Sequence, residues 1–423
     1  MVGADPSFPT RERGADARTD FGALRRIGIF FVLVPLSFIL AQCGKAPPSA
    51  GLVAANSQPS GDSFDDRFPA PQFKDRFPTP NESFVQRQAP EPSRKRVATV
   101  PSGPYRVASL TPQAAYERPD GKEELTTLVS LNSSAFPYLG NNPRSAAPFL
   151  NVSGNGRRGH RSFRGRVYWA DETYNDNRTL IHIPKNFDAR KPGVIVVFFH
   201  GNGATLERDV RDRQRVPQQI SKSGVNAVLL APQLAVNAAD SSAGKFWQPG
   251  GLKRFMDESA DRLAQLYGDP RAAKAFAEMP VVIVGYSGGF VPTAYSLAVG
   301  GLGDRVRGVF LLDALYGELD KFASWIDNHR SAFFVSSYTP YTKRRDDELM
   351  RMLRNKGISV AEDMDRPLKP GSVVFVATRG GVTHRDYVTQ AWTELPVKEV
   401  LVKMAETPAL IRVAAGVPPP GSR

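Results

Sequence analysis

The residues best suited to chemistry are Gly285-Tyr286-Ser287-Gly288-Gly289. A serine hydroxyl is a weak nucleophile until a neighbouring base takes its proton. It must also be presented at a sharp turn that a substrate can reach. The spacing Gly-x-Ser-x-Gly supplies such a turn, because strand and helix approach closely there and bulky residues two positions either side of Ser287 would clash. The motif alone is short and arises by chance. Here it follows the apolar run Val281-Val282-Ile283-Val284 and opens a helix-like stretch, the context a serine elbow needs. A second segment, His200-Gly201-Asn202-Gly203, directly follows another apolar run. The chain offers five histidines as bases: His160, His182, His200, His329 and His384.

These residues need a scaffold to hold them. Residues 193–200 and 280–285 are continuous apolar runs, which read as strands buried on both faces. Further strands are expected at 226–230, 309–312, 332–336 and 373–377. Helical spacing appears at 206–221, 251–266, 291–299, 318–326 and 346–356. Alternation of this kind predicts an α/β fold: a mostly parallel central sheet with helices on both faces. Two earlier segments, 165–169 and 179–183, read as antiparallel strands, and the globular part begins near Phe136.

The elbow, the His-Gly segment and a third motif, Thr383-His384-Arg385-Asp386-Tyr387 after the last strand, resemble the α/β-hydrolase superfamily. The resemblance covers roughly residue 179 to the end, with the strands from about 165 included. It implies that Ser287 is the nucleophile of an acyl transfer that passes through an acyl-enzyme. It implies an oxyanion hole from the N–H of Gly288 and one from the Gly201–Asn202 segment, with Asn202 preferred. His200 then orients that loop. The superfamily order Ser…Asp…His makes His384 the general base, and leaves His160, His182 and His329 structural.

The acid is the harder assignment. Its commonest position in the superfamily is the loop at 336–341, which holds no carboxylate. Asp313 ends the preceding strand, a position some lipases of the superfamily use, and it is the preferred acid. Asp346 and Asp347 are the alternatives, although they read as the start of a helix. The activity implied is hydrolysis of a carboxylic ester or amide, with no metal or organic cofactor. A peptidase, or a non-catalytic envelope binding protein that keeps the fold, are the competing readings.

With 423 residues and 41% hydrophobic content, a packed core is expected over most of the chain. The net charge is +13, and residues 1–100 hold 13 basic and 10 acidic residues, so most of the excess lies beyond them. Such a balance favours anionic surfaces, but no nucleic-acid motif accompanies it and no nucleic-acid partner is expected. The expected partners are a small-molecule or lipid ester and a membrane reached through the N-terminal segment.

Arg25 and Arg26 precede an apolar run at 27–40, the pattern of an export signal. The run is shorter than the ~20 residues of a membrane span. The sole cysteine, Cys43, ends Leu40-Ala41-Gln42-Cys43, which resembles a bacterial lipoprotein processing site, Gln42 being the departure. That resemblance implies lipidation of Cys43. Residues 44–105 are rich in Pro, Ser and charge, with an imperfect repeat at 66–71 and 75–80, and read as a disordered tether. The expected organisation is an export signal or anchor at 1–43, the linker at 44–105, a catalytic domain at 106–415 and a flexible tail at 416–423, in an exported, membrane-associated or periplasmic protein.

Overall fold

The computed structural model describes residues 123–378 and 380–411. The expectations for the export signal, Cys43, the linker and the tail lie outside those residues.

Eight strands form the main sheet. β1 (Leu125–Ser130) and β5 (Arg178–Ile183) occupy one edge, followed by β7 (Ala227–Pro232), β6 (Val194–Phe199), β8 (Val281–Tyr286), β9 (Val306–Leu312), β10 (Phe333–Tyr338) and β11 (Val373–Ala377). From β7 to β11 every pairing is parallel, and β5 pairs antiparallel with both β1 and β7. A separate antiparallel sheet holds β2 (Val152–Gly154), β3 (Arg157–Arg161) and β4 (Val167–Trp169).

The central strands are apolar at consecutive positions because both faces are covered. Along β6, Ile195, Val197 and Phe199 pack into one layer, while Val194, Val196 and Phe198 pack into the other. The first layer takes buried residues from α2 (Gly251–Tyr267), α3 (Phe290–Val299), α4 (Leu319–Asn328) and α5 (Lys343–Asn355). The second takes them from α1 (Val216–Ser223) and α6 (Pro396–Ala405). This is the layered arrangement that the strand–helix alternation predicts.

The segment at 165–169 is an antiparallel strand as expected, β4, in the small sheet. Two local readings change. The edge partner of β5 is β1, which begins well before Phe136 and is only half-buried, so its Leu125-Thr-Thr-Leu-Val-Ser130 pattern carries little hydrophobic signal. The stretch at 206–221 is not one helix. It is a π-helical segment, Leu206–Arg213, and then α1, separated by Arg215 at φ 52°. Pro217 lies in the first turn of α1, where a missing N–H costs nothing.

Candidate active site

Ser287 follows β8 directly and opens a short 3₁₀ turn, Ser287–Gly289, that leads into α3. Its φ of 52° is a left-handed conformation that costs a non-glycine residue on the order of 1 kcal/mol. The backbone of β6 presses on this elbow: a Cβ at Gly289 would stand 2.2 Å from the Phe199 carbonyl oxygen. Only glycine fits there.

Asp313 follows β9, also with positive φ (42°), and His384 sits in a short turn after β11. The structure brings all three together. His384 Nε2 lies 2.8 Å from Ser287 Oγ, and His384 Nδ1 lies 2.5 Å from Asp313 Oδ2. With the carboxylate accepting at Nδ1, the imidazole carries its proton there, and Nε2 can accept one from the serine hydroxyl. A serine after one central parallel strand, a carboxylate after the next and a histidine after the last decide the architecture. This is the α/β-hydrolase fold.

The residues holding this α/β-hydrolase constellation come from four directions. Asp313 is fully buried, and its Oδ1 accepts from Thr339 N (3.1 Å), Thr339 Oγ1 (2.8 Å) and Thr342 Oγ1 (2.9 Å). Burial pushes the Asp313 carboxyl up, but the His384 hydrogen bond and charge, with the Thr339 donors, more than offset it and hold it below its usual range. The His384 turn is anchored twice. Tyr286 Oη donates to the His384 carbonyl at 2.7 Å, and the Tyr387 and Ser337 hydroxyls meet at 2.7 Å. The Tyr286 ring also stacks on the imidazole, centroids 5.2 Å apart.

Asp346 and Asp347 are both engaged elsewhere. Asp346 accepts from Ser336 Oγ at 2.5 Å, and burial pushes its carboxyl well above the usual range. Asp347 pairs with Lys343 at 2.7 Å.

The His-Gly loop lies against the elbow. A Cβ at Gly201 would be 2.8 Å from Ser287 Cβ, so this backbone packs directly on Ser287. The Asn202 side chain reaches over Gly288 and accepts from Ser241 Oγ at 3.1 Å. The Gly203 N–H is taken by the Ala238 carbonyl at 2.8 Å, whereas the Asn202 N–H meets no acceptor among the described residues.

His200 orients this loop, as expected. The Leu234 N–H and the Gln233 side-chain amide both donate to its Nε2 at 2.9 Å, which leaves Nδ1–H to donate to the Gly201 carbonyl at 2.9 Å. His182 in β5 is bonded on both nitrogens, to Thr126 and Ser221. His160 is buried on β3 against Phe149, and His329 bonds back to Trp325 at the end of α4. Among the described residues no group of three or more His, Cys, Asp or Glu could hold a metal ion.

Burial pulls both His200 and His182 from 6.5 down to about 4. The folded chain keeps them neutral where the unfolded chain already binds protons. Their contribution to stability is complete above pH 6.5 and is lost progressively as pH falls towards 4, up to about 3 kcal/mol each. The Tm should therefore fall across that window. A Tm that stays level there would contradict the neutral, buried state of these histidines.

A cavity of about 460 Å³ opens between Pro192, Val225, Asn226 and Val402. It lies where β6 and β7 begin, at the edge of the sheet opposite Ser287, and holds no nucleophile paired with a base.

No protein-family model matches the chain, and no curated protein does. Among solved structures it is similar to a ferulic acid esterase (13% identity, 66% of this chain and 99% of that one, TM-score 0.41). It is similar also to a feruloyl esterase module from Clostridium thermocellum (15%, 65% and 96%, TM-score 0.36) and to an S-formylglutathione hydrolase from Agrobacterium tumefaciens (11%, 62% and 98%, TM-score 0.34).

Sequence reasoning missed Thr339, Thr342, Ser241 and Tyr286 as supports of the site. The one signal for the threonines is a hydroxyl-rich stretch, Ser336-Ser337-Tyr338-Thr339-Pro340-Tyr341-Thr342, which holds no carboxylate.

Proposed function

We propose that this chain is a serine hydrolase that cleaves a carboxylic ester through an acyl-enzyme on Ser287. The observation that carries it is the unbroken chain of hydrogen bonds from Ser287 Oγ through His384 to Asp313, 2.8 and 2.5 Å long. Ser287 Oγ attacks the ester carbonyl carbon as His384 Nε2 takes its proton, and Asp313 stabilises the resulting imidazolium. The N–H groups of Gly288 and Asn202 stabilise the developing oxyanion, with Gly201 letting that backbone come close. Collapse of the tetrahedral intermediate breaks the bond to the alcohol oxygen, which takes the proton from His384. Water, deprotonated by His384, then attacks the acyl-enzyme and releases the carboxylic acid and Ser287.

A panel of p-nitrophenyl esters of increasing chain length beside chromogenic peptides tests this reading. Turnover of at least one ester class is expected. Cleavage of peptides with no ester turned over would overturn the assignment to esters.

We further infer that the enzyme works in the cell envelope, supported by the arginine-led apolar run at 27–40 and by Cys43 behind it. Fractionation should find the wild type with membranes and the Cys43→Ser variant released or unprocessed. A wild type wholly in the cytoplasm would refute it.

A further inference from the structure

The hairpin of β3 and β4 concentrates positive charge in a short stretch of chain. Residues 157–166 read Arg-Arg-Gly-His-Arg-Ser-Phe-Arg-Gly-Arg, five arginines and no acid. Arg157 is neutralised by Asp171 at 2.7 Å and Glu172 at 2.5 Å. Arg158, Arg161, Arg164 and Arg166 are exposed and meet no carboxylate among the described residues. Arg161 donates to the Gly165 carbonyl, while Arg164 and Arg166 lie over the rings of Phe163 and Tyr168 at 5.2 and 5.1 Å. Arg178, Arg190, Arg211 and Arg271 each hold a carboxylate within 3.0 Å, while Arg254 and Arg262 hold none among the described residues but stand singly on a helix. At the turn between the two strands stands Phe163, 61% exposed.

We propose that this hairpin docks the protein on an anionic lipid surface. The occupant must offer closely spaced negative charge to four guanidinium groups and apolar depth to the Phe163 ring. A bilayer interface offers both, because phosphates sit in the plane where arginines reach and acyl chains begin just beneath. A strand of nucleic acid would ask instead for a groove that tracks its backbone, and a turn of a few residues is convex.

The hairpin is also tied to the site. Tyr168 Oη accepts from the Ala239 N–H at 3.1 Å, the Ala238 carbonyl accepts from Gly203, and Ser241 bonds Asn202 beside Ser287. The docking stands on charge and exposure, and does not depend on the hydrolase reading.

The test uses the full chain with equimolar phosphatidylglycerol–phosphatidylcholine vesicles and with pure phosphatidylcholine vesicles. One variant carries Arg158→Gln, Arg161→Gln, Arg164→Gln and Arg166→Gln together, and a second carries Phe163→Ser. The wild type should prefer the anionic vesicles by about tenfold or more at low salt, a preference that added salt weakens. The four-arginine variant should lose that preference and Phe163→Ser should reduce it, with the Tm of both unchanged. A four-arginine variant that keeps the preference at wild-type Tm would overturn the proposal, since the attraction would then come from elsewhere in the chain. Hairpin-dependent binding to DNA or heparin without binding to vesicles would overturn it equally, as the partner would be another polyanion.

Discussion

Ser287→Ala should lower ester turnover by roughly three to six powers of ten and leave the Tm close to that of the wild type. The fold does not depend on the hydroxyl: the one hydrogen bond Ser287 Oγ makes to a described group is to His384 Nε2. Alanine must adopt the same left-handed φ of 52°, at a cost similar to that of serine. What disappears is the only atom positioned to form the acyl bond. Residual turnover would come from the Gly288 and Asn202 amides polarising a carbonyl for direct attack by water. Activity measured beside a circular dichroism spectrum checks both halves. A folded alanine variant retaining most of its activity would remove Ser287 from the mechanism.

Asp313→Asn should cost about four powers of ten, and the reason is the direction of one proton. Three donors, Thr339 N, Thr339 Oγ1 and Thr342 Oγ1, already converge on Oδ1. An asparagine must therefore keep its carbonyl oxygen there and turn its NH₂ towards His384 Nδ1. Nδ1 then becomes the acceptor, the ring proton moves to Nε2, and the base can no longer accept from Ser287. Asp346→Asn makes the contrasting measurement. That carboxyl is bonded to Ser336, while His384 Nδ1 is bonded to Asp313, so the amide should keep turnover within about threefold of the wild type. A large loss on Asp346→Asn with near-normal turnover on Asp313→Asn would reverse the assignment.

The parts of the site that local sequence dictates were legible before the fold was known. The elbow is a contiguous pattern whose glycines answer to a clash within the same turn, and His384 follows a strand that its own residues announce. Asp313 was legible because Leu311 and Leu312 end a buried strand beside the one that carries Ser287. Thr339 and Thr342 were not. They reach Asp313 only because β9 and β10 pair in parallel and Asp313 N bonds the Ser337 carbonyl, a register that no local pattern encodes. The same holds for β1, whose partner β5 lies about fifty residues further along and whose exposed edge leaves no strong apolar period. The break between Leu206–Arg213 and α1 was hidden for the opposite reason. Apolar residues recur at helical intervals across it, and only Arg215 and Pro217 mark the stop.

The most direct test of the central claim is to treat the folded chain with a fluorophosphonate and map the adduct by peptide mass spectrometry. A phosphonyl group is an electrophile that reports an activated serine whatever the natural substrate, and it mimics the tetrahedral state that the Gly288 and Asn202 amides would hold. The account predicts one modified residue, Ser287, with labelling lost in Ser287→Ala and slowed by orders of magnitude in His384→Ala. A folded, wild-type chain that takes up no label at Ser287, or that labels elsewhere and loses its hydrolysis with that adduct, would contradict it.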